Sequence, residues 1–222
     1  MCGRGRCTLR PEEVARACCV GNLTPYRPSY NVSPGQGEEG GGESSPVLVC
    51  MKWGLVPSFT KKTDKPDHYR MFNARSESIR EKASFRRLIP KNRCLVAMEG
   101  FYEWKKDGSK KQPYYIYFKD GRPLVVYTFT ILTTCSSSAL QWLHDRMPVI
   151  LGDKTSIDIW LNGSASEVDS VAGRPYEGPD LVWHPVTAAM GKPSFDGPEC
   201  VKEIVKSAGG EQATLFSYFG RS

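Results

Sequence analysis

The stretch GFYEWKKDGSKKQPYYIYFKDGRPLVVYTFTILTT, residues 100–134, decides the fold class. Its aromatic and β-branched runs, FYEW (101–104), YYIYF (114–118) and LVVYTFTILTT (124–134), are bounded by Gly, Pro or Asp, which is the pattern of short strands. Lys119-Asp120-Gly121, with Arg122-Pro123 behind it, reads as a hairpin connection between the second and third runs, because Asp-Gly supplies the positive φ of a tight turn. Working outward, VLVCMKW (47–53), CLVAM (94–98) and LVWHPV (181–186) have the same texture and add strands. Short helices are expected at RPEEVARACC (10–19), where Pro11 and two glutamates open an amphipathic turn, and at ESIREKASF (77–85), SSALQWL (137–143) and TSIDIWL (155–161). The Gly/Glu/Ser segment 35–45 cannot bury apolar area and reads as a mobile loop, and residues 203–222 read as a loosely ordered tail. The class is α+β with β predominating, in one domain over residues 1–222.

Composition narrows the function. The 30 Lys and Arg residues against 24 Asp and Glu give a net charge of +6, which suits a polyanionic partner without demanding one. No apolar run approaches the roughly 20 residues of a membrane-spanning helix. The N-terminus has early arginines but no apolar segment behind them, so no secretion signal is read and a nuclear or cytoplasmic location is expected. The eight cysteines (2, 7, 18, 19, 50, 94, 135 and 200) contain no C-x-x-C pair, and His68, His144 and His184 are not spaced with them as metal ligands. Reduced thiols, no metal and no cofactor are therefore expected.

Several polar residues stand where packing alone does not ask for them. In FNARSE (72–77), Asn73 and Arg75 sit at strand spacing and can point the same way, or Asn73 can cap a following helix with Arg75 solvated. Glu103 lies between Tyr102 and Trp104. Facing inward, its carboxylate is desolvated and suited to acid–base work; facing outward, it is merely exposed. His144 ends a short apolar stretch before Asp145-Arg146-Met147-Pro148 and reads either as a proton-transfer group or as a packing residue. His184 precedes a proline in a strand and reads as structural.

Cys2 directly follows Met1. With Met1 removed, as is usual before a small residue, a primary amine of reference pKa about 7.7–8.0 stands two carbons from a thiol of reference pKa about 8.5.

MCGR (1–4), YNVSP (30–34), MKWGLVPSF (51–59), FNARSES (72–78), FYEWKK (101–106), KKQPYYIYF (110–118), LHDRMPVIL (143–151) and WHPVTAAMG (183–191) together resemble the SOS-response-associated peptidase family, in the family's order, from residue 2 to about residue 202. The resemblance implies a β-rich domain with a barrel-like mixed sheet and short flanking helices. It implies a sensor and shield of abasic sites in single-stranded DNA, including junctions with duplex DNA, acting as a monomer in the DNA-damage response through a covalent thiazolidine crosslink at Cys2. Asn73 would then hold the N-terminus or the sugar hydroxyls. Glu103 and His144 would move protons. Arg4, Arg75 and Arg146 would grip phosphates, and Pro34, Trp53 and Phe85 would lie near the bases. A lyase-type activity belongs to the same reading. The alternatives are a thiol peptidase that removes its own Met1, using Cys2, Asn73 and His144, and a non-covalent reader of 5-hydroxymethylcytosine. A segment that relatives carry between Val126 and Tyr127 is absent here, so LVVYTFTILTT is expected to join two strands into one continuous run and to lose a connection that reverses direction.

Overall fold

The computed structural model describes residues 3–18, 29–32, 52–61, 63–90, 92–127, 130–206 and 212–214. Its strands are β1 (Gly5–Cys7), β2 (Ser29–Val32), β3 (Asn73–Arg75), β4 (Leu95–Met98), β5 (Gly100–Asp107), β6 (Lys110–Phe118), β7 (Leu124–Tyr127), β8 (Ile131–Cys135), β9 (Arg146–Pro148), β10 (Ile150–Leu151), β11 (Leu181–Pro185), β12 (Ile204–Lys206) and β13 (Gln212–Thr214). Four helices accompany them: α1 (Pro11–Cys18), α2 (Ala83–Arg86), α3 (Lys154–Asn162) and α4 (Ala165–Ala172). The α+β, β-dominated class follows directly. The expected barrel-like closure does not: the described strands fall into four separate sheets, ordered β11-β6-β5-β1-β2, β10-β7-β4, β3-β8-β9 and β12-β13.

The long hairpin β5–β6 is the centre of the largest sheet. Phe101 pairs with Ile116, and the ladder runs out to Asp107 opposite Lys110. Gly108 closes it at φ +56°, a left-handed conformation that favours glycine. Both faces of this hairpin are covered. Phe101, Ile116 and Phe118 join Trp53, Leu124, Val126 and Ile131 in one core, while Tyr102 and Tyr115 pack with Val186, Met190 and Cys200 in another. That two-sided burial explains why GFYEW and YYIYF are continuous apolar runs instead of alternating ones. Gly100 is required by the same packing, since a Cβ there would stand 2.5 Å from the Tyr115 ring.

Two connections depart from the sequence reading. Lys119-Asp120-Gly121 does make a turn, with Gly121 at φ +75° and its N–H donating to the Phe118 carbonyl, but it does not close a hairpin. β6 pairs with β5 and β11, whereas β7 pairs with β4 and β10. LVVYTFTILTT is likewise not one strand: β7 and β8 belong to different sheets, and Thr130, between them, donates its hydroxyl to the Met71 carbonyl at 2.9 Å. Each strand feeds both cores by alternation: Val126 and Ile131 bury in the first, Val125 and Leu132 in the second.

The helices at 10–19 and 155–161 form as α1 and α3, and α4 is an addition that the sequence reading missed. ESIREKASF breaks into a 3₁₀ turn at Ser76–Ser78 and the single turn α2. SSALQWL forms successive turns, with the Leu140 and His144 N–H groups donating to Ser137 and Leu140, because Leu140 and Leu143 both insert into the first core. α3 is capped by Asp153, whose carboxylate accepts from the Ser156 N–H at 2.8 Å, and α4 by a reciprocal Ser164–Glu167 box. Together with Trp160, fully buried, they close a second core. No described helix is long and apolar enough to cross a membrane. Residues 35–45 and Pro34 lie outside the described residues, as do most of VLVCMKW and of the tail from 203.

Candidate functional site

The first described residues run beside the central hairpin. β1 pairs antiparallel to β5, Gly5 opposite Phe101, and the Arg4 carbonyl accepts from the Tyr102 N–H at 3.0 Å. The Arg4 guanidinium reaches across to the Gly191 carbonyl at 3.1 Å, and its partial burial lowers its pKa from the ordinary arginine value while the nearby Tyr69 opposes that shift.

Next to this corner on β5 stands Glu103, paired in register with Tyr114 and only 4% exposed. Its Oε1 accepts from the Trp104 N–H at 3.2 Å. The carboxyl lies in a narrow, largely apolar gap walled by Phe101, Leu140, Leu143 and Met147, and His144, Arg146 and Ser136 complete the lining. The inward reading of Glu103 is the one that the fold adopts. His144 reaches the gap because the turns over 137–143 anchor Leu140 and Leu143 in the core beneath it. Its Nδ1 is 3.0 Å from the Arg146 backbone N–H and 2.7 Å from an Asp145 carboxylate oxygen. The first contact needs Nδ1 as an acceptor and the second needs it as a donor. The backbone N–H is always a donor, so it sets the neutral tautomer with Nδ1 as acceptor.

Arg146 is held on the far side of the gap. Its guanidinium forks onto both carboxylate oxygens of Glu77 and donates to the Thr133 carbonyl at 2.6 Å. Hydrogen bonding to Arg146 holds the Glu77 carboxyl below its usual range. Glu77 was not among the sequence candidates, although it is the sixth residue of FNARSES. Parallel pairing of β3 with β8 (Asn73 opposite Ile131, Arg75 opposite Thr133) and antiparallel pairing of β8 with β9 (Thr133 opposite Pro148) bring FNARSES alongside Arg146. Asn73 is half-buried and Arg75 exposed, and the 3₁₀ turn after β3 has Arg75 as its N-cap, so Asn73 caps nothing there.

A second, open groove of about 480 Å³ meets the gap from outside and is lined by Glu103, His144, Trp104, Lys106, Lys111 and Gly191. That volume falls within the roughly 300–1,000 Å³ typical of ligand sites. Glu103 and His144 thus face both spaces. Trp53 and Phe85 go elsewhere: they are 8% and 5% exposed in the first and second cores, and the Trp53 indole N–H donates to the Phe72 carbonyl at 2.9 Å. His184 is structural, its Nε2 2.8 Å from the Val201 carbonyl. Cys2 and Pro34 lie outside the described residues. Of the described cysteines, Cys7, Cys18, Cys94, Cys135 and Cys200 are free thiols, and burial raises the Cys200 pKa.

The family model of the SOS response associated peptidase (SRAP) matches residues 1–193. The chain belongs to the SRAP family. Among its relatives, the abasic site processing protein HMCES of Xenopus tropicalis is 31% identical over 266 aligned residues, covering 92% of this chain and 79% of the relative. The abasic site processing protein YoqW of Bacillus subtilis is 32% identical, covering 91% of this chain and 99% of its own. A protein of Bacteroides thetaiotaomicron known from X-ray crystallography superposes with a TM-score of 0.76 at 24% identity, over 92% of this chain and 100% of that one, and so shares the fold. Within this SRAP domain, Glu103, His144 and Arg146 line the gap, Glu103 and His144 also line the groove, Arg4 bonds the groove's Gly191, Asn73 and Arg75 lie on β3 beside β8, and Trp53 and Phe85 support the interior.

Proposed function

We propose that this protein processes abasic sites in DNA, capturing them in single strands and at junctions with duplex DNA as a covalent adduct of Cys2. The observation that carries this reading is the meeting of a buried carboxyl and an imidazole, Glu103 and His144, at the floor of a groove whose rim holds Arg4. Cys2 precedes Arg4 by two residues in the sequence. The names of the relatives, abasic site processing proteins, agree in substrate class.

The chemistry asks for little more than these groups. An abasic sugar in its open form is an aldehyde. The α-amine of Cys2 adds to that carbon and water leaves, giving an imine; the thiol then adds across the C=N bond, sulfur to carbon and proton to nitrogen, and closes a five-membered thiazolidine. Glu103 protonates the leaving hydroxyl, and His144 carries the thiol proton to nitrogen. Asn73 orients the terminus, and Arg4, Arg75 and Arg146 meet the flanking phosphates. Closing the ring removes the electron sink that strand cleavage by β-elimination would use.

Incubation with an abasic single-stranded oligonucleotide should give a shifted band that survives heat in a denaturing gel. Cys2→Ser, with Met1 removed, should give a borohydride-trapped imine but little heat-stable product. An uncleavable extension before Cys2 should abolish both; a stable adduct from the extended protein would overturn the reading.

A further inference from the structure

The exposed end of the β5–β6 hairpin carries Lys105, Lys106, Lys110 and Lys111 against the single acid Asp107, with Glu103 buried farther along β5. Three of these residues have local company. Lys105 lies over the Trp142 ring, its Nζ 5.0 Å from the centroid, and Lys110 stands in register opposite Asp107. Lys106 and Lys111 do not share in this. They are placed directly opposite one another across the two strands, both exposed, with no ion pair among the described residues. Like charges at directly opposed positions repel and weaken a hairpin. This pair lines the groove that leads to Glu103 and His144, together with Trp104 and the Gly191 that receives Arg4.

We infer that Lys106 and Lys111 jointly hold a backbone phosphate of single-stranded DNA, on one defined side of the captured position, so that the hairpin is a guide rail for one flank of the strand. Two ammonium groups on facing strands suit one phosphodiester, whose charge removes the repulsion that the empty pair suffers. Half-buried Trp104 on the same face gives a sugar or base an apolar wall. Arg4 is bonded to Gly191 of the same groove and adds a further cation beside it. The inference rests on the abasic-site reading for its substrate class, but not on the covalent step.

The probe is an unmodified oligonucleotide, which cannot crosslink, titrated at several salt concentrations. For the wild-type protein the affinity should fall with salt; in the double variant Lys106→Gln, Lys111→Gln the slope of log K against log salt should be shallower by about 0.7, one phosphate's worth, with binding weaker by on the order of tenfold at low salt. Lys106→Glu is the second arm. It replaces repulsion with attraction across the strands, so it should raise the melting temperature while weakening binding. Trimming the oligonucleotide from one end only should erase the difference between wild type and double variant, which identifies the flank. Unchanged slope and affinity in both variants, with a wild-type protein that binds and crosslinks normally, would overturn the guide rail and leave the abasic-site reading standing. Wild-type protein that binds through these lysines but never crosslinks would do the reverse.

Discussion

Arg93 and Arg146 both hand guanidinium hydrogens to backbone carbonyls, and the regions around them are built to different ends. Arg93 donates to Ile89, Leu161 and Gly163 at 2.9–3.0 Å and lies over the Trp160 ring, whose own N–H donates to the Cys94 carbonyl at 3.1 Å. That corner, closed by two capped helices, gives these donors to backbone carbonyls of its own packing. Around Arg146 the same kind of anchoring ends at a gap that holds Glu103 and His144. Burying a carboxyl in apolar surroundings costs stability, and packing elsewhere in the fold, such as the helical corner around Trp160, offsets it.

The sharpest test is Glu103→Gln. The amide keeps the shape and has no charge to bury, so the melting temperature should hold or rise while adduct formation slows by about 10²–10⁴-fold. A rate loss that merely tracks a falling melting temperature would erase the contrast between the regions. Trp160→Ala should do the opposite, costing about 3–5 kcal/mol in a urea or thermal melt while leaving the adduct rate per folded molecule unchanged. A slowed rate in well-folded Trp160→Ala protein would show that the two regions are coupled.

Smaller effects come from Glu77, which ties Arg146 to the loop after β3. Its side chain is 54% exposed against 12% for Arg146, so Glu77→Gln should cost about 1 kcal/mol near neutrality. The folded carboxyl titrates below its ordinary value of 4.5, so its contribution is complete above that pH and fades as pH falls through the lowered value. Acid melts of the wild type should therefore lose a stabilising increment that the Gln variant never had, and parallel acid limbs for the two would refute the ion pair's role.

The tripeptide Lys-Asp-Gly occurs twice, at 106–108 and 119–121, and it shows how far the sequence could be read. Both glycines take positive φ, so the local chemistry of both turns was legible. Only the first closes a hairpin. After the second come Arg122, bound to Asp120 and Asp180, and Pro123, which has no N–H for a ladder; the chain leaves for another sheet. Strand runs, α1 and α3 were visible as periodicity, and inward Glu103 was one of two readings that periodicity left equal. Which of them held depended on the turns over 137–143 covering that face, a tertiary fact. Glu77 as the partner of Arg146 was hidden for the same reason, since only parallel pairing across distant sequence brings them together. Lys106 and Lys111 were not singled out in the sequence, since only the register sets them opposite one another.

That parallel pairing also sets an order of events. β3 can take its register only once β8 exists, and β8 in turn positions β9 and Arg146. Closing such long chain loops is the slow part of folding, so a growing chain that ends before residue 131 has Glu103 and its N-terminal strand but neither β8 nor β9 to complete the gap. On the proposed reading, the gap is completed late, and a nascent chain short of β8 would carry Cys2 without the groups proposed to serve it.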